Sequence, residues 1–261
     1  MPVASLAAVA LALTGLTPRP EVYTTWRAPV DIRGHELHVT FVKPVRAREP
    51  TLLVLFATGD AGWRGASGDI FEHLAAEGYY LAGYDAREIV RHVKSTAGLA
   101  KISDAAAGVD ALIVHARSAL GLAEGTGVVV TGFSRGATFV VFTAAVPSLQ
   151  HHVSGAIAMA LTRESDFLEA PPLAERPPQL QVDDKGRIQT YPAIALAGLI
   201  PFAVIQAKGD RYVTADEARR LFGSNTPTRR LYDVDSSSHG FGGAEDELFR
   251  DLDDALSWIE K

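Results

Sequence analysis

The chain contains no cysteine. That excludes a disulfide framework, a thiolate metal site, a cysteine nucleophile and a lipid-modified N-terminal cysteine, and it leaves the compartment open. No Lys/Arg-rich block occurs, and 31 Asp and Glu outnumber 25 Lys and Arg for a net charge of −6. This balance argues against a general nucleic-acid binder, so no nucleic-acid partner is expected. Internal repeats and low-complexity tracts are also missing. The small-residue apolar run Val3 to Leu16 is too short to span a bilayer but has the length of a signal-peptide h-region. No Lys or Arg precedes it and no Ala-x-Ala site follows. A periplasmic or secreted protein is the first expectation, with a trimmed or misassigned start and a cytoplasmic protein as the alternative. Residues 1–20, a signal peptide or disordered N-terminus, are left out of the fold.

What remains is rich in apolar residues. Of 261 residues 47% are hydrophobic and 21% charged, so the chain is globular and long enough to bury a sizeable core. Glu21–Trp26 and Glu36–Val42 alternate as edge strands around the turn Arg33-Gly34-His35. Thr51–Phe56 is a continuous apolar run, the pattern of a buried parallel strand, and Asp69–Glu77 follows with helical spacing. The alternation continues with a strand over Tyr79–Tyr84, a helix capped by Ser103, a strand over Gly127–Phe133 and a helix over Thr138–Val146. Strands over Val153–Leu161, Pro201–Gln206 and Arg229–Val234 then alternate with helices over Ala215–Phe222 and Glu245–Ile259. This rhythm predicts one α/β domain over residues 21–261, with a mostly parallel sheet covered by helices on both faces. It breaks once: a Pro-rich stretch from about Arg163 to Gly198, with a hairpin around Asp183-Asp184-Lys185-Gly186, reads as an insertion before the penultimate strand.

The chemistry centres on Gly132-Phe133-Ser134-Arg135-Gly136. Gly-x-Ser-x-Gly alone is a weak pattern. Between a β-branched strand and an apolar helix it marks a strained turn that exposes a serine hydroxyl. A serine needs a base to take its proton, and the base needs an orienting carboxylate. Two residues follow in the required order after strands: Asp210 in Gly209-Asp210-Arg211-Tyr212-Val213, and His239 in Ser238-His239-Gly240-Phe241. Asp216 suits the first turn of a helix and Asp233 the end of the last strand, so both rank behind Asp210. His73 and His115 fall in helices, and His151 and His152 follow the elbow helix, at the opposite end of the sheet. Oxyanion donors are expected from the amide of Arg135 and from Gly59 or Asp60 in the loop Thr58-Gly59-Asp60-Ala61-Gly62-Trp63. An aspartate there is unfavourable beside a developing anion unless turned away or paired. Asp60 is therefore expected either to read substrate or to brace the loop.

These motifs together resemble an α/β-hydrolase over most of residues 35–261. Within that superfamily, Thr58-Gly59-Asp60-Ala61-Gly62-Trp63 resembles the Ser-Gly-Asp-Gly-Gly-Trp loop of the bacterial virulence protein VirJ/AcvB family. Gly83-Tyr84-Asp85-Ala86-Arg87 resembles that family's Gly-Val-Asp-Ser-Leu-Arg. Ala61 in place of a glycine, the compressed second motif and Arg135 in place of the commoner Phe are departures that bear on substrate more than on reaction. The resemblance implies an exported serine esterase acting on aminoacyl-phospholipid esters such as lysyl-phosphatidylglycerol, with peripheral membrane contact. On that view Asp60 would pair with the ammonium of the aminoacyl group, Arg64, Arg87 or Arg91 would face the phosphate, and Trp63 would also contact the substrate. Neither a cofactor nor a metal is implied. The alternatives are a non-catalytic binding or secretion-accessory protein on the same scaffold, and a cytosolic dienelactone-hydrolase-like enzyme.

Overall fold

A computed structural model describes residues 22–93 and 99–261. The N-terminal run expected to direct export lies outside the described residues. Strands β1 (Tyr23–Ile32) and β2 (His35–Pro44) form an antiparallel hairpin. Its turn residues Arg33 and Gly34 both have positive φ, the geometry that matches strand twist in a two-residue connection. Six parallel strands follow: β3 (Leu52–Ala57), β4 (Tyr80–Tyr84), β5 (Gly127–Phe133), β6 (Gly155–Met159), β7 (Phe202–Ala207) and β8 (Arg229–Val234). Among the described residues they make one eight-stranded sheet in the order β1-β2-β4-β3-β5-β6-β7-β8. Only β2 runs against the rest: it is antiparallel to both β1 and β4, so β1 points the same way as the six parallel strands.

Two-residue periodicity sends successive side chains of the central strands to opposite faces. Leu53 and Leu55 join a core with helices α2 (Ala86–Val93), α3 (Ile102–Leu120) and α4 (Arg135–Ala144), through Ile89, Val109 and Phe139. Val54 and Phe56 face the other core, built from Ile70 and Leu74 of α1 (Ala66–Ala76) and Leu248 and Leu252 of the C-terminal helix. That last helix, α6, spans Glu245–Ile259, and α5 spans Ala215–Phe222 beside the first core, which receives its Ala218. Both faces are covered, as the alternation of strands and helices predicts.

Several boundaries differ from expectation. The helix α1 begins at Ala66, three residues early, and α4 begins at Arg135 directly after the serine. Ser103 does not cap α3: Lys101 holds the N-cap position and no side chain caps the helix. The short helix α2 was not expected, because its residues read as part of a motif beyond β4. The insertion is tied down rather than looped free. Glu164–Ser165 pairs with Ile188–Gln189, Leu168–Glu169 pairs with Ala100–Lys101, and Phe167, Leu180, Tyr191 and Ile194 enter the α4-side core. The turn at Asp183–Gly186 forms as expected, with the Asp183 amide bonded to the Arg187 carbonyl at 2.9 Å.

Candidate active site

Parallel strands of this kind gather functional loops at their carboxyl ends. Ser134 ends β5 and opens α4 with φ 54° and ψ −113°, a backbone conformation that costs a non-glycine residue energy and is characteristic of functional sites. Its amide bonds to the carbonyl of Met159 at 2.8 Å, which fixes the turn against β6. Gly136 is required by packing: a Cβ there would overlap the carbonyl of Ala57 at the end of β3. The elbow is therefore held by both neighbouring strands.

His239 lies in the loop after β8, and Asp210 in the loop after β7. His239 Nε2 is 2.8 Å from Ser134 Oγ, and Nδ1 is 2.6 Å from Asp210 Oδ2. Asp210, 1% exposed, also accepts from the Tyr212 amide at 2.8 Å and from Gln206 Nε2 at 2.9 Å. Because the carboxylate can only accept, Nδ1 must carry the proton, which leaves the Nε2 lone pair to accept from the serine O–H. Tyr212 packs edge-on against the imidazole at 4.7 Å and Phe133 lies at 5.5 Å, so the ring is held on two sides. The rival aspartates stand elsewhere: Asp216 is in the first turn of α5, and Asp233 on β8 pairs with Arg219. His73 pairs with Asp253 and stacks on Phe249, and His152 pairs with Asp110 at the far end of the sheet.

The loop after β3 closes over the elbow. A Cβ on Gly59 would come within 2.9 Å of the Phe133 ring and 3.2 Å of Ser134 Cβ, so only glycine lets the loop approach this closely. The Gly59 amide, however, donates to the buried Ser67 Oγ at 3.2 Å. Of the two expected donors, Asp60 is therefore the one with its amide uncommitted, alongside that of Arg135 at the start of α4. The Asp60 side chain is not left facing a developing anion: its carboxylate pairs with Arg135 Nε. Arg135 also reaches Asp166 at 3.5 Å and lies over the Phe167 ring at 4.7 Å. One guanidinium thus joins the β3 loop, the elbow and the insertion.

Two expected substrate contacts are corrected. Trp63 packs edge-on against Phe71 at 4.9 Å and closes over Gly83, as part of the α1-side core. Arg87 grips Asp85 through Nε and Nη2 and donates to the Asp60 carbonyl at 2.5 Å. Partial burial works against ionisation of Asp85, but the Arg87 guanidinium and amide outweigh it and hold the carboxyl below the usual aspartate range. Both residues brace the loop from behind. Arg91 donates to the Arg87 carbonyl, and Arg64 is exposed and outside the cleft.

The cleft in front of Ser134 has a volume of about 480 Å³. Asp60, Arg135, Thr138, Arg211 and Tyr212 line it together with Ser134. The insertion contributes the rest: Thr162, Arg163, Glu164, Asp166, Phe167 and Arg187. Arg163 pairs with Glu217, and Arg187 pairs with Glu164 and Asp183. Arg211 bonds to the Tyr212 hydroxyl at 2.8 Å and has no carboxylate partner among the described residues. None of the insertion residues was recognisable beforehand, since no local motif marks a side chain that folds back over a distant loop. Gln206 did leave a trace, as a lone polar residue in the apolar strand Phe-Ala-Val-Ile-Gln-Ala. Among the described residues no cluster of His, Asp and Glu could hold a metal ion, and no helix is long and apolar enough to cross a membrane.

The fold is that of the α/β-hydrolases. It is similar to Est1E from Butyrivibrio proteoclasticus, with 16% identity, a TM-score of 0.61 and coverage of 90% of this chain and 99% of that one. A protein from Klebsiella pneumoniae subsp. pneumoniae MGH 78578 assigned to the dienelactone hydrolases gives 15%, 0.63, 91% and 99%. An alpha-beta serine hydrolase homologue from Coxiella burnetii gives 14%, 0.58, 88% and 97%. Residues 51–169 match the model of a family described as bacterial virulence protein (VirJ). That segment holds the β3 loop, the Asp85–Arg87 brace and the elbow. No curated protein matches the chain by sequence.

Proposed function

We propose that the protein is a serine hydrolase of carboxylic esters, and the observation that carries this reading is the hydrogen-bonded chain Ser134–His239–Asp210. His239 takes the proton of Ser134 as Oγ attacks the ester carbonyl. Asp210 keeps the imidazole in its reactive tautomer and stabilises the cation that forms. The amides of Arg135 and Asp60 receive the oxyanion. His239 then returns the proton to the departing alkoxide, and water repeats the sequence on the acyl-serine. The short distances on both sides of His239 and the open cleft support catalysis over a scaffold that only binds. The test is turnover of a short p-nitrophenyl ester: wild-type hydrolysis, with kcat/KM reduced at least about 1,000-fold in Ser134→Ala, supports the reading. Equal rates in the two proteins would refute it.

For substrate class, we infer an aminoacyl ester of a phospholipid. Est1E has been solved with ferulic acid bound, which supports a small acyl group in a cleft of this fold. Asp166, 70% exposed in the cleft and reached by Arg135 only at 3.5 Å, suits an ammonium group, and Arg211, without a carboxylate partner among the described residues, suits a phosphate. Contact with a membrane surface and export through the N-terminal run belong to the same reading. A panel that sets lysyl-phosphatidylglycerol in mixed micelles against neutral esters of equal acyl length tests it. A preference of tenfold or more for the lipid is expected, and indifference would overturn it.

A further inference from the structure

Gln206 is fully buried at the end of β7, beside the triad rather than in it. Its amide is used at both ends. Oε1 accepts from the Leu161 amide at 3.0 Å, while Nε2 donates to Asp210 Oδ2 at 2.9 Å and to the Val213 carbonyl at 2.7 Å. The Tyr191 hydroxyl lies a further 3.5 Å from Oε1. Only one orientation of the amide satisfies these partners, because a carboxylate cannot donate and an amide N–H cannot accept. Leu161 stands where the chain leaves β6 for the insertion, and the next residues, Thr162 and Arg163, line the cleft.

We propose that Gln206 is a positioning residue for the reaction, setting the Asp210 carboxylate against His239 and fastening it to the root of the insertion. This rests on the serine-hydrolase reading. Asp210 Oδ2 is the oxygen that receives His239 Nδ1–H, so a second donor on that same atom fixes the rotation of the carboxylate. Asp210 and Gln206 are both closed to solvent, so water cannot supply the lost donor if the amide is removed. Leu161 and Val213 would each lose a partner in the same event. The insertion's point of departure and the triad acid are therefore held by one side chain.

The experiment compares Gln206→Leu with Gln206→Glu in the full chain, reading kcat and KM on p-nitrophenyl acetate and the far-downfield proton resonance of the His239 Nδ1–H. In Gln206→Glu the new carboxyl sits against Asp210, and two carboxyls at that distance share a proton, so it still donates to Oδ2. Gln206→Leu is expected to lower kcat roughly 10–100-fold, the scale at which orienting partners act, with KM within about threefold, and to displace or broaden the resonance. Gln206→Glu should restore the resonance and at least about tenfold of the loss. A folded Gln206→Leu with an unmoved resonance and unchanged kcat would overturn the proposal, as would equal losses in both variants. The resonance needs no turnover, so it separates this claim from its premise: a wild-type protein without esterase activity whose resonance still responds to Gln206→Leu would refute the hydrolase reading alone. If Gln206→Leu fails to fold, Gln206→Glu decides through its resonance, which must stay at the wild-type position.

Discussion

Arg135 and Asp60 form an ion pair between the residue after the candidate nucleophile and the loop expected to hold the oxyanion. Proximity to Ser134 makes an isolated aspartate costly, and the arginine neutralises it. The pair is partly exposed, with side-chain accessibilities of 26% for Arg135 and 63% for Asp60, so its value lies in geometry more than in stability. Asp60→Asn and Arg135→Gln should each lower kcat/KM about fivefold, and the double variant should lose little more than either single. The resulting coupling, roughly 0.5–1 kcal/mol in a double-mutant cycle, is the measurement that checks the pair. Strict additivity would mean that the two side chains act separately.

Arg87 braces the same loop from its far side, and its role distinguishes support from recognition. Lysine offers one point charge where the guanidinium grips Asp85 and the Asp60 carbonyl at once. Arg87→Lys is therefore expected to reduce kcat by about tenfold on neutral and anionic esters alike. A loss confined to anionic esters, measured as kcat/KM across a matched pair, would return Arg87 to the substrate.

Two glycines, one in the elbow and one in the loop before β5, make contrasting demands. Gly136→Ala forces a methyl group into the Ala57 carbonyl and should destabilise the fold by about 3 kcal/mol or more. Gly125→Ala meets open space and an ordinary backbone, so it should leave the melting temperature within about 1 °C. Thermal melts of the two proteins check both outcomes.

The three residues of the Ser134–His239–Asp210 chain were legible from the sequence because each follows a strand whose apolar run ends at a polar, glycine-bearing loop. Chain order supplied the pairing that distance in sequence conceals. The elements over Gly127–Phe133, Ala215–Phe222, Arg229–Val234 and Glu245–Ile259 took the predicted bounds, since their apolar periodicity and their ends coincide. Trp63 and Arg87 were misread for a physical reason: a motif shows that residues share a loop, but not which side of the loop each side chain takes. The cleft wall from Thr162 to Phe167 was illegible because it depends on how the insertion packs on α4, through contacts far apart in sequence. Ser103 was misread because a helix-capping residue type can equally sit inside the first turn.

Asp251 on α6 gives the fold a pH dependence away from the site. Burial, then the charge of Glu247, raises its pKa to about 6; Asp254 and Asp233 add to this and Arg250 opposes it. The folded chain thus keeps a proton that the unfolded chain releases near the ordinary value of about 3.9. The stabilisation is fully present below that value and is lost as pH rises through 6. Asp251→Asn should raise the melting temperature by about 3 °C at pH 7–8 and leave it unchanged near pH 3.5. A melting series across that range checks the sign.

The central claim is that Ser134, activated through His239, is the nucleophile. Intact-mass measurement of the protein after treatment with a fluorophosphonate, followed by peptide mapping, tests it without assuming any substrate. The account predicts one covalent adduct, on Ser134, whose formation slows at least about 100-fold in His239→Ala. An unlabelled wild-type protein, or an adduct on any other residue, would contradict it.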